Sequence, residues 1–79
     1  MPPTVLIVED TQSLAMMYQS YLLPTGVNTL VASDGQTAMD IINKVHPDLI
    51  VLDVMLPDMN GLDILATLEP DNSPQVVVL

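Results

Sequence analysis

Three uninterrupted apolar runs, rich in β-branched residues, constrain this chain more than any other feature: Val5-Leu6-Ile7-Val8, Leu49-Ile50-Val51-Leu52 and Val76-Val77-Val78-Leu79. A strand with one wet face alternates apolar and polar residues. A continuous run instead suits a strand buried on both faces, as in a parallel sheet covered by helices. Each run is far too short to cross a bilayer. Val27–Ala32 is a weaker fourth run, with Asn28 and Thr29 inside it, and reads as an edge strand.

Helical periods separate the runs. Leu14, Met17, Tyr18 and Tyr21 recur at i, i+3, i+4 and i+7, the spacing of one helix face. Asp10 or Thr11 is placed to cap that helix, and Pro24 and Gly26 to stop it. Ala38, Ile41, Ile42 and Val45 repeat the spacing, with Ser33 or Asp34 as cap and His46-Pro47 as terminator. Leu62, Leu65 and Ala66 or Leu68 suggest a third, shorter helix that begins near Asn60 and stops before Pro70, followed by a loop at Asp71-Asn72-Ser73-Pro74. The expected order is β-α-β-α-β-α-β, an α/β sheet with right-handed crossovers.

Composition removes several function classes. With 49% hydrophobic and 14% charged residues the chain is not of disordered type. Its 79 residues allow a single domain or part of one. Ten acids against one base, Lys44, give a net charge of −9 and leave no cationic surface for a nucleic-acid backbone, so no direct nucleic-acid binding is expected. The absence of cysteine excludes disulfides, thiolate metal sites and a cysteine nucleophile. Without a basic segment ahead of the first apolar run, no secretory leader is read and a cytoplasmic location is expected. Gly35 and Gly61 do not make a glycine-rich phosphate loop, and His46 has no second histidine with which to share a metal. Asp34, Asp40, Asp58, Asp63, Glu69 and Asp71 read as solvated, and Met16, Met17, Tyr18 and Tyr21 as packing residues.

The acidic residues at the ends of the runs are the candidate chemistry. Glu9-Asp10 follow the first run directly and Asp53 follows the third. In an open parallel sheet these two strands can be neighbours at the point where strand order reverses, and ligands sit there, beyond the carboxyl ends of the strands. Three converging carboxylates repel one another, and a hard divalent cation relieves that repulsion; an all-oxygen donor set favours Mg²⁺ over zinc or copper. A cation there would also ease delivery of a phosphoryl group to Asp53, an aspartate being a competent nucleophile in such transfers. Taken singly, Glu9-Asp10 are equally readable as helix-terminus residues, and Asp53 alone reads more readily as a strand-end cap.

Val5–Asp10 and Pro47–Gly61, the latter carrying Leu-Asp-x-x-Leu-Pro-x-x-x-Gly from Leu52, resemble the receiver domain of two-component response regulators. Ala32-Ser33-Asp34-Gly35 fits the same family, and the first helix is similar to receivers of sigma-54-dependent activators of the NtrC and LuxO type. The resemblance covers the whole chain. It implies a flavodoxin-like fold with strand order 2-1-3-4-5, Asp53 as phospho-acceptor, Glu9, Asp10, Asp53 and the Met55 backbone carbonyl as Mg²⁺ ligands, and a loop shaped by Pro57 and Gly61. It also implies a sensor histidine kinase or phosphotransfer protein as donor, so the module is an acceptor and not an enzyme acting on a separate substrate.

The family's Ser or Thr after the fourth strand, its switch aromatic in the fifth strand and its Lys after that strand have no counterpart before Leu79, and Lys44 lies on the second helix. Residues 1–79 are therefore expected to be a partial receiver domain lacking the fourth helix, fifth strand and fifth helix, with impaired phosphorylation. In such a fragment Val76–Leu79 becomes an open apolar edge, and homo-oligomers through that edge or by element exchange are expected. Two other readings stand beside the signalling one: a non-switching structural or dimerising fragment, and a small hydrolase of haloacid-dehalogenase type. The last needs a second aspartate two residues after the nucleophile, where this chain has Met55.

Overall fold

The computed structural model describes residues 2–68 and 74–79; Glu69, Pro70 and most of the expected Asp71–Pro74 loop lie outside them. The elements are β1 (Thr4–Val8), α1 (Gln12–Leu22), a 3₁₀ turn (Leu23–Thr25), β2 (Asn28–Ala32), α2 (Gly35–Val45), β3 (Leu49–Leu52), α3 (Gly61–Thr67) and β4 (Gln75–Val78). All strands pair in parallel, in the order β2-β1-β3-β4. The expected α/β, flavodoxin-like arrangement is thus present for these elements.

The continuous runs are buried for the reason their composition suggests. On β1, Leu6 and Val8 point to one face and Val5 and Ile7 to the other, and all four are buried. Leu6 and Val8 join Ile50 and Leu52 of β3, Ala32, Ala38 of α2 and Ile64 of α3 in the larger core. Val5 and Ile7 meet Ala15 of α1, with Tyr18, Leu22, Leu49 and Val51 around them. Helices α2 and α3 therefore cover one face, and α1 lies on the other. β2 is an edge strand, half-exposed over Thr29 and Leu30 as its polar residues anticipate. β4 forms the opposite edge one residue earlier than its apolar run, with Val77, Val78 and Leu79 about half exposed.

The helices start and stop near the expected positions, but Thr11 at the start of α1 makes no side-chain capping hydrogen bond, and the faces the helices bury differ from the expected ones. On α1 the inward residues are Ala15, Tyr18 and Leu22, while Leu14, Met17 and Tyr21 are exposed. The small Ala15 side chain lets the helix backbone approach the sheet; Leu14 or Met17 in its place would hold the helix off. On α3 the inward residues are Gly61, Ile64, Leu65 and Leu68, and Leu62 is exposed. On α2, Ala38, Ile41 and Ile42 face the core as expected, and Val45 does not. Asp34 caps α2 by accepting from the Thr37 N–H at 2.7 Å, and Asn60 caps α3 by accepting from the Leu62 N–H at 2.8 Å. His46 closes α2 in a left-handed conformation (φ 53°), its N–H donating to the Ile42 carbonyl.

The phase of α1 is open to test. Overpacking a site where a helix touches a sheet typically costs ~1–3 kcal/mol. Ala15→Leu should lower stability in a denaturant titration by about that much, whereas Leu14→Ala, on the exposed side, should change it by less than about 1 kcal/mol. Equal losses would show that α1 buries the Leu14 face.

Candidate functional site

The register of β1 against its neighbours builds the site. Val8 pairs with Ala32 on one side and Leu52 on the other, so the next residues of all three strands emerge at one level. The Glu9 N–H donates to the Ala32 carbonyl at 3.0 Å, and the Asp53 N–H donates to the Val8 carbonyl at 3.0 Å. Each backbone is held one residue beyond its strand. Glu9, Asp10 and Asp53 each offer a carboxylate oxygen, and these oxygens lie within 4.8 Å of one another. The three residues that the sequence singled out do come together, on one rim of the sheet.

Their environments differ. Glu9 is 5% exposed and is the only buried polar or charged residue among the described ones, whereas Asp53 is half-buried and Asp10 exposed. Glu9 accepts a hydrogen bond from the Asp10 N–H at 3.1 Å, and Asp53 Oδ1 accepts from the Met55 N–H at 3.1 Å. Burial, then the hydrogen bond and charge of Asp53, then the charge of Asp10 push the Glu9 carboxyl up to about 7, opposed by the Asp10 N–H. A carboxyl with that pKa is half protonated near neutrality, because burial first and the neighbouring carboxylates second disfavour its ionised form. Glu9 and Asp10 also line a groove between α1 and β2, with Gln12, Met16, Gln19 and Thr29 on its walls, and this opens the cluster to solvent.

The loop after β3 sets the position of Asp53. Gly61 is buried, and its N–H donates to the Val54 carbonyl at 2.6 Å. A Cβ at Gly61 would overlap the Asp53 carbonyl and the Val54 backbone, so any side chain there would displace the end of β3 and Asp53 with it. Met55 pairs with Asn60 in an isolated antiparallel bridge that closes the loop, and its side chain is 82% exposed. Asp58, expected to be merely solvated, accepts N–H bonds from Gly35 at 2.7 Å and Gln36 at 3.1 Å. The Gly35 contact first, with Gln36 second, holds its carboxyl below the ordinary carboxylate range. The sequence carries no spacing signal for this contact, which spans 23 positions to Gly35.

Residues 5–79 match the family described as response regulator receiver domain. The chain belongs to the response regulator receiver domain family. The receiver is 41% identical over 73 residues to the regulatory protein LuxO of Vibrio vulnificus, covering 92% of this chain and 16% of that protein. It is 45% identical over 78 residues to the transcriptional regulatory protein TcrX of Mycobacterium tuberculosis, covering 99% of this chain and 33% of that one. The chain thus spans a third or less of these relatives. Among solved structures, the signal receiver domain of a LuxO repressor protein from Vibrio parahaemolyticus superposes with a TM-score of 0.91 at 35% identity, covering 99% of this chain and 61% of that one. The LuxO matches agree with the likeness of the first helix to receivers of that type. Among the described residues no helix is long and apolar enough to cross a membrane.

The raised Glu9 pKa has a definite pH signature. The folded state holds the Glu9 proton more tightly than the unfolded state, so metal-free stability is higher at acidic pH and falls as pH rises from 4.5 through about 7. Glu9→Gln should remove that dependence and raise metal-free stability at pH 8 by on the order of 3 kcal/mol, from about 1.4 kcal/mol per pKa unit. Parallel denaturant titrations at pH 5 and pH 8 check this; an unchanged pH dependence in the variant would place the titration elsewhere.

Proposed function

We propose that this receiver accepts a phosphoryl group on Asp53, with Mg²⁺ held by Glu9, Asp10, Asp53 and the Met55 backbone carbonyl, from a sensor histidine kinase or phosphotransfer protein. The observation that carries the reading is the convergence of three carboxylates within 4.8 Å, one of them buried. Burying a carboxylate beside two others destabilises the fold unless something neutralises it, and an all-oxygen, highly anionic cup fits a hard divalent cation. When bound, the cation would neutralise charge on the phosphoryl oxygens.

The chain's own residues do the rest. The Met55 N–H donates to one oxygen of Asp53 and so orients the carboxylate, leaving the other oxygen to attack phosphorus in line with the departing imidazole nitrogen. The Asp53 Oδ–P bond forms as the N–P bond of the donor breaks, giving an acyl phosphate. Glu9 must release its proton for the full ligand set to be anionic, so cation binding would strengthen as pH rises through about 7 and release a proton. The coverage of 61% of the LuxO receiver structure supports reading residues 1–79, β1 to β4, as part of a receiver domain.

Incubation with Mg²⁺ and a small acyl phosphate or beryllofluoride, followed by mass spectrometry or NMR, tests the reading. Wild type should form an adduct that Asp53→Asn abolishes. A folded wild-type chain that forms no adduct in Mg²⁺ counts for a non-switching fragment.

The exposed edge favours a second property. Val77 and Val78 of β4 and the following Leu79 are each about half exposed, and the outer side of β4 pairs with no strand among the described residues. We infer that two chains associate through this edge or exchange elements, against the repulsion of two chains of charge −9. Sedimentation should show a dimer or larger species that strengthens with salt; a folded monomer at high concentration excludes it.

A further inference from the structure

Eight residues, 53–60, carry the chain from β3 to α3, and 55–60 among them form a closed loop. Their base is closed by the Met55–Asn60 bridge, and Leu56 and Met59 rest on the core. Among the described residues, the hydrogen bonds tying this loop to an element other than its own β3 or α3 are those from Gly35 and Gln36 to the two oxygens of Asp58. Both donors are first-turn amides of α2, which have no partner within the helix. Asp34, next to them in the chain, is already committed to Thr37. Met59 completes the junction by lying so close to Gly35 that a Cβ there would overlap its side chain.

We propose that Asp58 is a positioning residue: by docking the loop on the amino end of α2 it fixes the Met55 backbone, and through the Met55 N–H it orients the Asp53 carboxylate. The chain of contacts is continuous, from α2 to Asp58, along the loop to Met55, and from the Met55 N–H to Asp53 Oδ1. Two oxygens meet two amides, which is why a carboxylate suits the position better than a single acceptor. Asp58 itself is exposed and belongs to neither core cluster, so its removal takes no side chain out of the core. The depressed Asp58 pKa agrees with a carboxylate engaged by two N–H donors.

The consequence for Mg²⁺ rests on the function proposed above, and the test separates the two. In the metal-free protein, Asp58→Ala should shift the backbone amide resonance of Met55 along with those of Gly35 and Gln36, and Asp58→Asn, which keeps one acceptor, should shift Met55 less and in the same direction. Mg²⁺ titration should then show binding weakened about tenfold in the alanine variant, the usual cost of losing a residue that orients a ligand, and restored to within about threefold in the asparagine variant. Both substitutions remove the same charge, so equal losses would assign the effect to charge and overturn the positioning role. An unmoved Met55 amide in either folded variant would overturn it too. If wild type binds no Mg²⁺, the functional reading fails while the Met55 amide still decides the role of Asp58; if the alanine variant does not fold, the asparagine variant decides it.

Discussion

The parallel pairing of β1 with β3 is the constraint on which the rest of this receiver depends. Val8 stands opposite Leu52, and the Asp53 N–H closes the ladder onto the Val8 carbonyl. A shift of one residue would turn every side chain of β3 to the other face. It would also carry Asp53 away from Glu9. The register that buries Leu6, Val8, Ile50 and Leu52 in one core is therefore the register that crowds the carboxylates. Hydrophobic burial drives the pairing, and the acidic cup is held together against its own repulsion by that burial.

The energetic consequence falls mainly on Glu9. Of the three acids it alone is buried, and it responds by holding a proton to near neutral pH. A buried acid with a raised pKa beside two further carboxylates is an unfavourable arrangement of the kind that clusters at functional sites. The surrounding loop fixes the position of Asp53. Gly61 gives the backbone room to pass Asp53 and Val54, and Asp58 anchors the loop to a helix that arrives from the opposite edge of the sheet order. Elements far apart in the chain thus share control of one carboxylate.

Much of this was legible in the residues. The continuous run Leu49–Leu52 coincides with β3, β1 and β2 differ from their runs by one residue at the start, and β4 is shifted one residue earlier. The three acids were legible because each directly follows, or nearly follows, a buried run, and a strand end is a fixed place in a parallel sheet. The helix faces were less so. On α1, Leu14, Met17 and Tyr21 and the set Ala15, Tyr18 and Leu22 both fit a helical period, and apolar character alone favours the larger residues. Close approach to the sheet favours Ala15 instead.

By itself the sequence determined the number, order and type of elements and the coming together of Glu9, Asp10 and Asp53, because runs buried on both faces admit little besides a covered parallel sheet. Only the tertiary structure decided which side each helix turns inward, that Glu9 is enclosed while its neighbour Asp10 faces water, and that Asp58 grips α2. Those outcomes depend on contacts between residues distant in the chain. Local periodicity and propensity do not encode such contacts; the close packing of two elements against a third does.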